Sequence, residues 1–89
     1  MISREISIIN KLGLHARAAA KLVKLSASFE ASIEIEKDSQ KVNSKSIMGV
    51  MMLAASCGSV VTLYTDGPDE QAAIDAIEDL INRYFDEDE

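Results

Sequence analysis

The segment Ala31-Ser32-Ile33-Glu34-Ile35-Glu36 decides the fold, because its apolar and polar residues alternate without a break. Alternation with a period of two is typical of a strand that has one buried and one solvent-facing side. Ile33 and Ile35 are therefore expected in the core. Strands with one polar face fit an antiparallel sheet better than a doubly wound parallel one. The segment thus predicts an open-faced antiparallel sheet.

Three further strands are predicted around this segment. Residues 2–9 alternate for most of their length, with Ile6 and Ile8 on one face, and residues 60–65 are rich in β-branched and aromatic side chains. Lys37-Asp38-Ser39-Gln40 is typical of a hairpin turn, which would lead into Lys41-Val42-Asn43 as a short partner strand.

Three helices are predicted between and after the strands. Residues 16–28 carry five alanines and an apolar stripe at helical spacing. Ser46 is a good N-cap for a short second helix, in which Val50 and Leu53, with one methionine, are expected to fill the core. Asp69 is expected to cap the last helix. The apolar stripe of that helix is predicted to consist of Ala73, Ile74, Ile77, Ile81 and Tyr84.

The resulting order, β-α-β-β-α-β-α, predicts an α+β open-faced sandwich in which a four-stranded antiparallel sheet carries three helices on one face. A chain of 89 residues has room for one domain, which we assign to residues 1–85. Residues 86–89 form an acidic tail. Because their charges oppose the helix dipole at its C-terminal end, we expect the tail to fray.

Composition narrows the classes of function. The chain carries 9 basic and 15 acidic residues, a net charge of −6, which disfavours nucleic-acid binding. Its longest apolar stretch, residues 47–56, is far shorter than the roughly 20 residues of a membrane span, and the N-terminus lacks the features of a signal peptide. No membrane insertion and a cytoplasmic location are therefore expected. Cys57 is the only cysteine, so we expect it to be buried and structural, with no disulfide and no metal site.

His15 is the only histidine, and it lies between Gly13, the expected hinge of a turn, and the first helix. Free N–H groups and the positive end of the dipole make a helix N-terminus favourable for an anion. Arg17, two residues later, offers a bidentate phosphate contact. This arrangement suits a phosphohistidine, whereas a metal site or a hydrolytic dyad lacks its other members. From the residue pattern alone, a plain surface or capping histidine remains the alternative.

The segment Leu12-Gly13-Leu14-His15-Ala16-Arg17-Ala18-Ala19-Ala20 closely resembles the phosphorylation-site segment of the HPr family, the histidine-containing phosphocarriers of the bacterial sugar phosphotransferase system. Residues 42–53 look like the regulatory-serine segment of that family. Residues 66–73 resemble its last turn and helix start. The similarity covers nearly the whole chain, and two motifs in register are far more specific than a single His-x-Arg.

The resemblance implies a concrete activity that needs no cofactor. HPr-like proteins accept a phosphoryl group from enzyme I, itself charged by phosphoenolpyruvate, on Nδ1 of the site histidine and pass it to enzyme IIA domains of sugar permeases. His15 matches the acceptor, and Arg17 matches the arginine that assists the phosphate. The family usually has proline where this chain has Ala18. We therefore expect a helix with a looser start, which would affect the efficiency of transfer.

The resemblance also implies regulation and docking. Ser46 matches a serine that HPr kinase/phosphorylase phosphorylates in many HPr-like proteins. We expect Ile47, Met48 and Met51 to form an apolar docking surface, together with Lys24 and framed by basic residues, for small transient interfaces of a monomeric carrier. Two alternatives stay open at this point. One is an HPr paralogue of a regulatory, nitrogen-type branch; the other is a non-catalytic protein- or RNA-binding module, disfavoured because only Tyr64 places an aromatic ring on a strand.

Overall fold

The computed structural model describes residues 1–88 and has one antiparallel sheet with strand order β1-β4-β2-β3. Its strands are β1 (Ile2–Ser7), β2 (Ser32–Lys37), β3 (Gln40–Asn43) and β4 (Val60–Asp66). Ile33 lies opposite Thr65, and Ile35 lies opposite Leu63, so the alternating segment sits beside the central strand β4. Both isoleucines are buried, which confirms the face predicted from the alternation.

Three helices complete the predicted architecture: α1 (Ala16–Ala27), α2 (Ile47–Met52) and α3 (Glu70–Asn82). The α+β fold and its element order are confirmed. α3 packs on β1 and β4, and α1 packs against both other helices. The core lies between helices and sheet, and its largest fully buried side chains are Phe85, Ile8, Leu22, Ile33, Ile35, Leu63, Ile74, Ile77, Ile81, Val50 and Val61.

The hairpin between β2 and β3 closes at Asp38 and Ser39, the two central residues of the predicted turn. Both have positive φ angles, 51° and 68°, as a two-residue turn that matches the twist of the strands requires. The predicted partner strand is one residue longer than expected, because Gln40 pairs with Lys37.

The end of α3 departs from the predicted apolar stripe. Tyr84 is 40% exposed, so its predicted place in the stripe is wrong, and Phe85 is fully buried in its stead. The reason is a turn over Tyr84–Asp86, hereafter the C-terminal turn, in which φ is 59°, 53° and 62°. Because α3 ends at Asn82 and this left-handed backbone follows, the helical periodicity does not extend to Tyr84, and Phe85 enters the core instead.

Three smaller expectations are also wrong. Cys57 is exposed rather than buried, because it lies in the loop before β4 outside the core. No methionine of α2 enters the core, since Val50 and Leu53 alone fill the space beneath this short helix. Asp69 occupies the N-cap position of α3 without capping it. Its carboxylate instead accepts hydrogen bonds from the backbone N–H groups of Glu30 and Ala31, at 2.9 and 2.8 Å.

Candidate functional site

His15 occupies the N-cap position of α1, as its place before the alanine-rich run predicts. Its backbone is extended, with φ −75° and ψ 178°, and its carbonyl accepts the first helical hydrogen bond from Ala19 N–H at 2.8 Å. The side chain does not cap the helix, which removes the capping alternative. The ring is 27% exposed and thus accessible at the helix start.

The turn before His15 is fixed by three hydrogen bonds. Gly13 N–H donates to the carbonyl of Asn10 at 3.1 Å, and Asn10 Nδ2 donates to the carbonyl of Gly13 at 2.9 Å. Leu14 N–H donates to the carbonyl of Ala55 at 2.8 Å, and Leu14 itself is buried. Gly13 has φ +64°, as expected for the hinge. The histidine is therefore presented by a rigid turn.

Ala18 is fully buried in the first turn of α1. The helix begins at Ala16, with the Ala19–His15 hydrogen bond in place, although the usual proline of the family is missing. That the helix starts more loosely stays a prediction, as does its effect on transfer.

Glu87 is a member of this site that the sequence reasoning missed. Its Oε2 lies 2.5 Å from His15 Nε2, and its Oε1 accepts from Asn10 Nδ2 at 2.9 Å. From their charge alone, residues 86–89 are expected to form a fraying tail. Among the described tail residues, the structure places the carboxylate of Glu87 against the histidine. No local pattern singles out Glu87 from its acidic neighbours, because the contact depends on the path of the C-terminal turn.

Two opposing effects set the pKa of the Glu87 carboxyl. Burial alone would raise its pKa, but the hydrogen bonds from Asn10 and His15 and the positive charge of Arg17 together hold it below its usual range. Glu87 is therefore ionised near neutral pH. An ionised carboxylate only accepts hydrogen bonds, so His15 donates from a protonated Nε2.

Arg17 is exposed on the first turn of α1 and lines an open cleft of about 350 Å³. The cleft lies between Lys11, the start of α1 and residues 86–88, and Lys21 adds a further cation to its wall. Arg17 makes no ion pair with a carboxylate of residues 1–88. The guanidinium thus lies in the first turn of the helix that begins after His15, and its positive charge also acts on the carboxylate of Glu87 across the cleft.

Ser46 caps α2 as predicted: its backbone is extended, and its Oγ accepts from Gly49 N–H at 3.2 Å. The side chains that follow form an exposed apolar surface; Ile47, Met48 and Met51 are 41%, 73% and 45% exposed. Lys24 is exposed on the neighbouring helix α1. The predicted docking residues therefore lie on two helices that pack together.

Neither a metal site nor a membrane span is found among residues 1–88. Residues 1–88 bring no group of three His, Cys, Asp or Glu side chains close enough to hold a metal ion. Within the same residues, no helix is both long and apolar enough to cross a membrane.

Comparison with known proteins identifies the family. Residues 2–83 match the family model described as the PTS HPr component phosphorylation site. The chain is 56% identical to the phosphocarrier protein HPr of Cupriavidus necator, over 100% of both chains.

Solved structures agree with this similarity. HPr-C-His from Thermoanaerobacter tengcongensis superposes with a TM-score of 0.97 at 49% identity over 100% of both chains. An HPr dimer from the same organism gives a TM-score of 0.79 at 50% identity, covering 98% of this chain and 100% of that one. The chain belongs to the HPr family of phosphocarrier proteins of the phosphotransferase system.

Proposed function

We propose that this chain accepts a phosphoryl group from phosphorylated enzyme I on Nδ1 of His15 and donates it to enzyme IIA domains of sugar permeases, in the cytoplasm. The observation that carries the proposal is the ring geometry at the start of α1. Nε2 carries the proton that is donated to Glu87, so in the neutral ring the lone pair lies on Nδ1. This is the nucleophile that a phosphocarrier needs.

The transfer step uses this lone pair. Nδ1 of His15 forms a bond to phosphorus while the bond between phosphorus and the donor breaks, and that electron pair leaves with the donor. The ring keeps its Nε2 proton and becomes a positively charged phosphoimidazolium. Donation to enzyme IIA is the reverse step toward a different acceptor. Little covalent chemistry is required of the protein beyond positioning and charge stabilisation.

Arg17 is proposed to stabilise the phosphoryl oxygens during this step. It is exposed on the first helical turn, beside the cleft and two residues from the acceptor. A guanidinium makes strong bidentate bonds to phosphate, and the N-terminal dipole of α1 adds a weaker attraction of about 0.3–1 kcal/mol.

The test is incubation with enzyme I and phosphoenolpyruvate, followed by mass spectrometry. The wild-type chain should gain one acid-labile phosphate, and His15→Ala should gain none. Arg17→Ala should slow transfer by about tenfold or more, the loss expected for a charged hydrogen bond, with an unchanged circular dichroism spectrum. Failure of the wild-type chain to gain phosphate from an active enzyme I would refute the proposal.

We also propose that phosphorylation of Ser46 regulates the carrier. A phosphate on Oγ would still meet the N-terminus of α2, so the helix would be retained, but it would place about two negative charges beside Ile47 and Met48. The docking surface formed by Ile47, Met48, Met51 and Lys24 would then bind acidic partners less well. Incubation with HPr kinase/phosphorylase and ATP should modify the wild type and leave Ser46→Ala unmodified. Absence of phosphoserine at position 46 would refute this role.

A further inference from the structure

We infer that Glu87 is a positioning residue for His15: its carboxylate fixes the ring with the proton on Nε2, which leaves Nδ1 as the phosphoryl acceptor and stabilises the positive ring formed on transfer. The inference rests on the proposed function of His15. It concerns a residue at the far end of the sequence, 72 positions from the histidine.

The first support is that both oxygens of the carboxylate are engaged by one rigid turn. Oε2 accepts from His15, and Oε1 accepts from Asn10, which is fully buried and also holds the carbonyl of Gly13. The Glu87 side chain is only 11% exposed. The carboxylate is therefore fixed relative to the same turn that presents the ring.

The second support is that the backbone leading to Glu87 is anchored on the domain. Phe85, two residues earlier, is fully buried, and its carbonyl accepts from Lys21 Nζ of α1 at 2.7 Å. Glu87 N–H donates to the carbonyl of Tyr84 at 2.9 Å, which closes the C-terminal turn. The carboxylate of Glu87 is thus held at the start of α1 by the core, by the helix and by the C-terminal turn.

The third support is the charge change in the reaction. When Nδ1 shares its lone pair with phosphorus, the imidazole becomes cationic, and the Nε2–H bond to an ionised carboxylate becomes stronger. A carboxylate in this relation to a histidine fixes the tautomer and stabilises the imidazolium without taking its proton. Glu87 stands in this relation to Nε2, on the side of the ring away from the reacting nitrogen.

An acidic tail beside an anion site could act in the opposite way, by repelling the incoming phosphoryl group. The two roles predict opposite changes in the rate of phosphoryl transfer. If Glu87 positions the ring, its removal slows transfer, whereas if the tail shields the site, its removal accelerates transfer.

The test compares Glu87→Gln with Glu34→Gln, a matched change of an exposed residue on the sheet. Glu87 accepts from Asn10 and His15 on separate oxygens, and glutamine replaces one of these oxygens with an NH2 group and removes the charge, so it cannot repeat both contacts. We expect Glu87→Gln to slow single-turnover transfer from phosphorylated enzyme I by about tenfold to a hundredfold, the range for a lost charged hydrogen bond. Glu34→Gln should transfer within about twofold of wild type, since exposed charges contribute little.

Nitrogen and proton NMR of the His15 ring supplies a readout independent of transfer. The wild type should show a downfield Nε2–H proton protected from solvent exchange, and this resonance should vanish in Glu87→Gln but persist in Glu34→Gln. Glu87→Ala serves as a second variant, and urea unfolding checks that each variant is folded. Equal or faster transfer by a folded Glu87→Gln, or a wild type without the protected resonance, would overturn the inference. If the wild type accepts no phosphate yet shows the resonance, the proposed function fails while the Glu87 contact stands.

Discussion

At the scale of single residues, Gly13 determines how the turn presents His15. Its φ of +64° lies in the left-handed region, and a Cβ built on it would lie 2.5 Å from the carbonyl oxygen of Ala55 and 2.7 Å from Cα of Ser56. That carbonyl also accepts from Leu14 N–H, so it cannot move without losing a hydrogen bond beside the site. Only glycine fits this close approach of two loops.

Gly13→Ala is therefore expected to destabilise the domain more than Gly58→Ala. Gly58 also has a positive φ, +93°, but a Cβ there meets no atom within 4 Å. Both variants carry the cost of a left-handed alanine, about 1–2 kcal/mol, and Gly13→Ala adds an overpacking cost of about 1–3 kcal/mol. Urea unfolding measures the difference. Equal losses of stability in the two variants would show that the loops adjust without cost.

At the scale of secondary-structure elements, Asp69 links helix α3 to strand β2. It stands at the start of α3, yet its carboxylate binds the backbone that leads into β2. The hydrogen bond from Glu30 N–H, opposed by burial and helped by that from Ala31, holds the pKa of this carboxyl below its ordinary 3.8. A helix start is thereby tied to the strand that lies beside β4.

The lowered pKa predicts how this link depends on pH. A group whose folded-state pKa is depressed stabilises the fold above its unfolded-state pKa, and the contribution is lost as pH falls through the folded-state value. The stability gap between wild type and Asp69→Asn should therefore be full at pH 6 and shrink below about pH 4. Urea midpoints measured from pH 6 to pH 2 test this. A gap that stays constant with pH would contradict the role of the carboxylate.

An element can be predicted from the sequence when a local pattern of residues marks it. Alternation at Ile33 and Ile35 and the cap at Ser46 are local patterns, and both predicted the structure correctly. The C-terminal turn has no such signal, because three successive residues other than glycine adopt positive φ and the helical period wrongly assigns Tyr84 to the core. Glu87 was missed for the same reason, since its contact with His15 follows from that turn.

At the scale of the whole molecule, the edges of the sheet affect whether two chains can pair. β1 and β3 are the edge strands. β3 has only four residues and carries Lys41, and on β1 the side chain of Arg4 bonds to Asp75 and Glu78 of α3 at 2.9 and 2.8 Å. Short, charged edges discourage pairing between chains.

We therefore expect the chain to be a monomer. Light scattering after gel filtration should give a mass near 9.7 kDa that does not change with concentration. The HPr dimer from Thermoanaerobacter tengcongensis shows that a similar sequence can pair, so the alternative is concrete. A mass that rises toward twice this value with concentration would contradict the expectation.

The position of Glu87 beside His15 has a practical consequence for handling the protein. An affinity tag fused after residue 89 would begin three positions beyond Glu87, whose carboxylate contacts the ring. The amino group of Met1, by contrast, pairs with Asp66 and Glu70 at the start of β1, the end of that strand opposite to the one that leads into the turn before His15. Purification handles, dyes and surface linkers for assays of phosphoryl transfer therefore belong at the N-terminus.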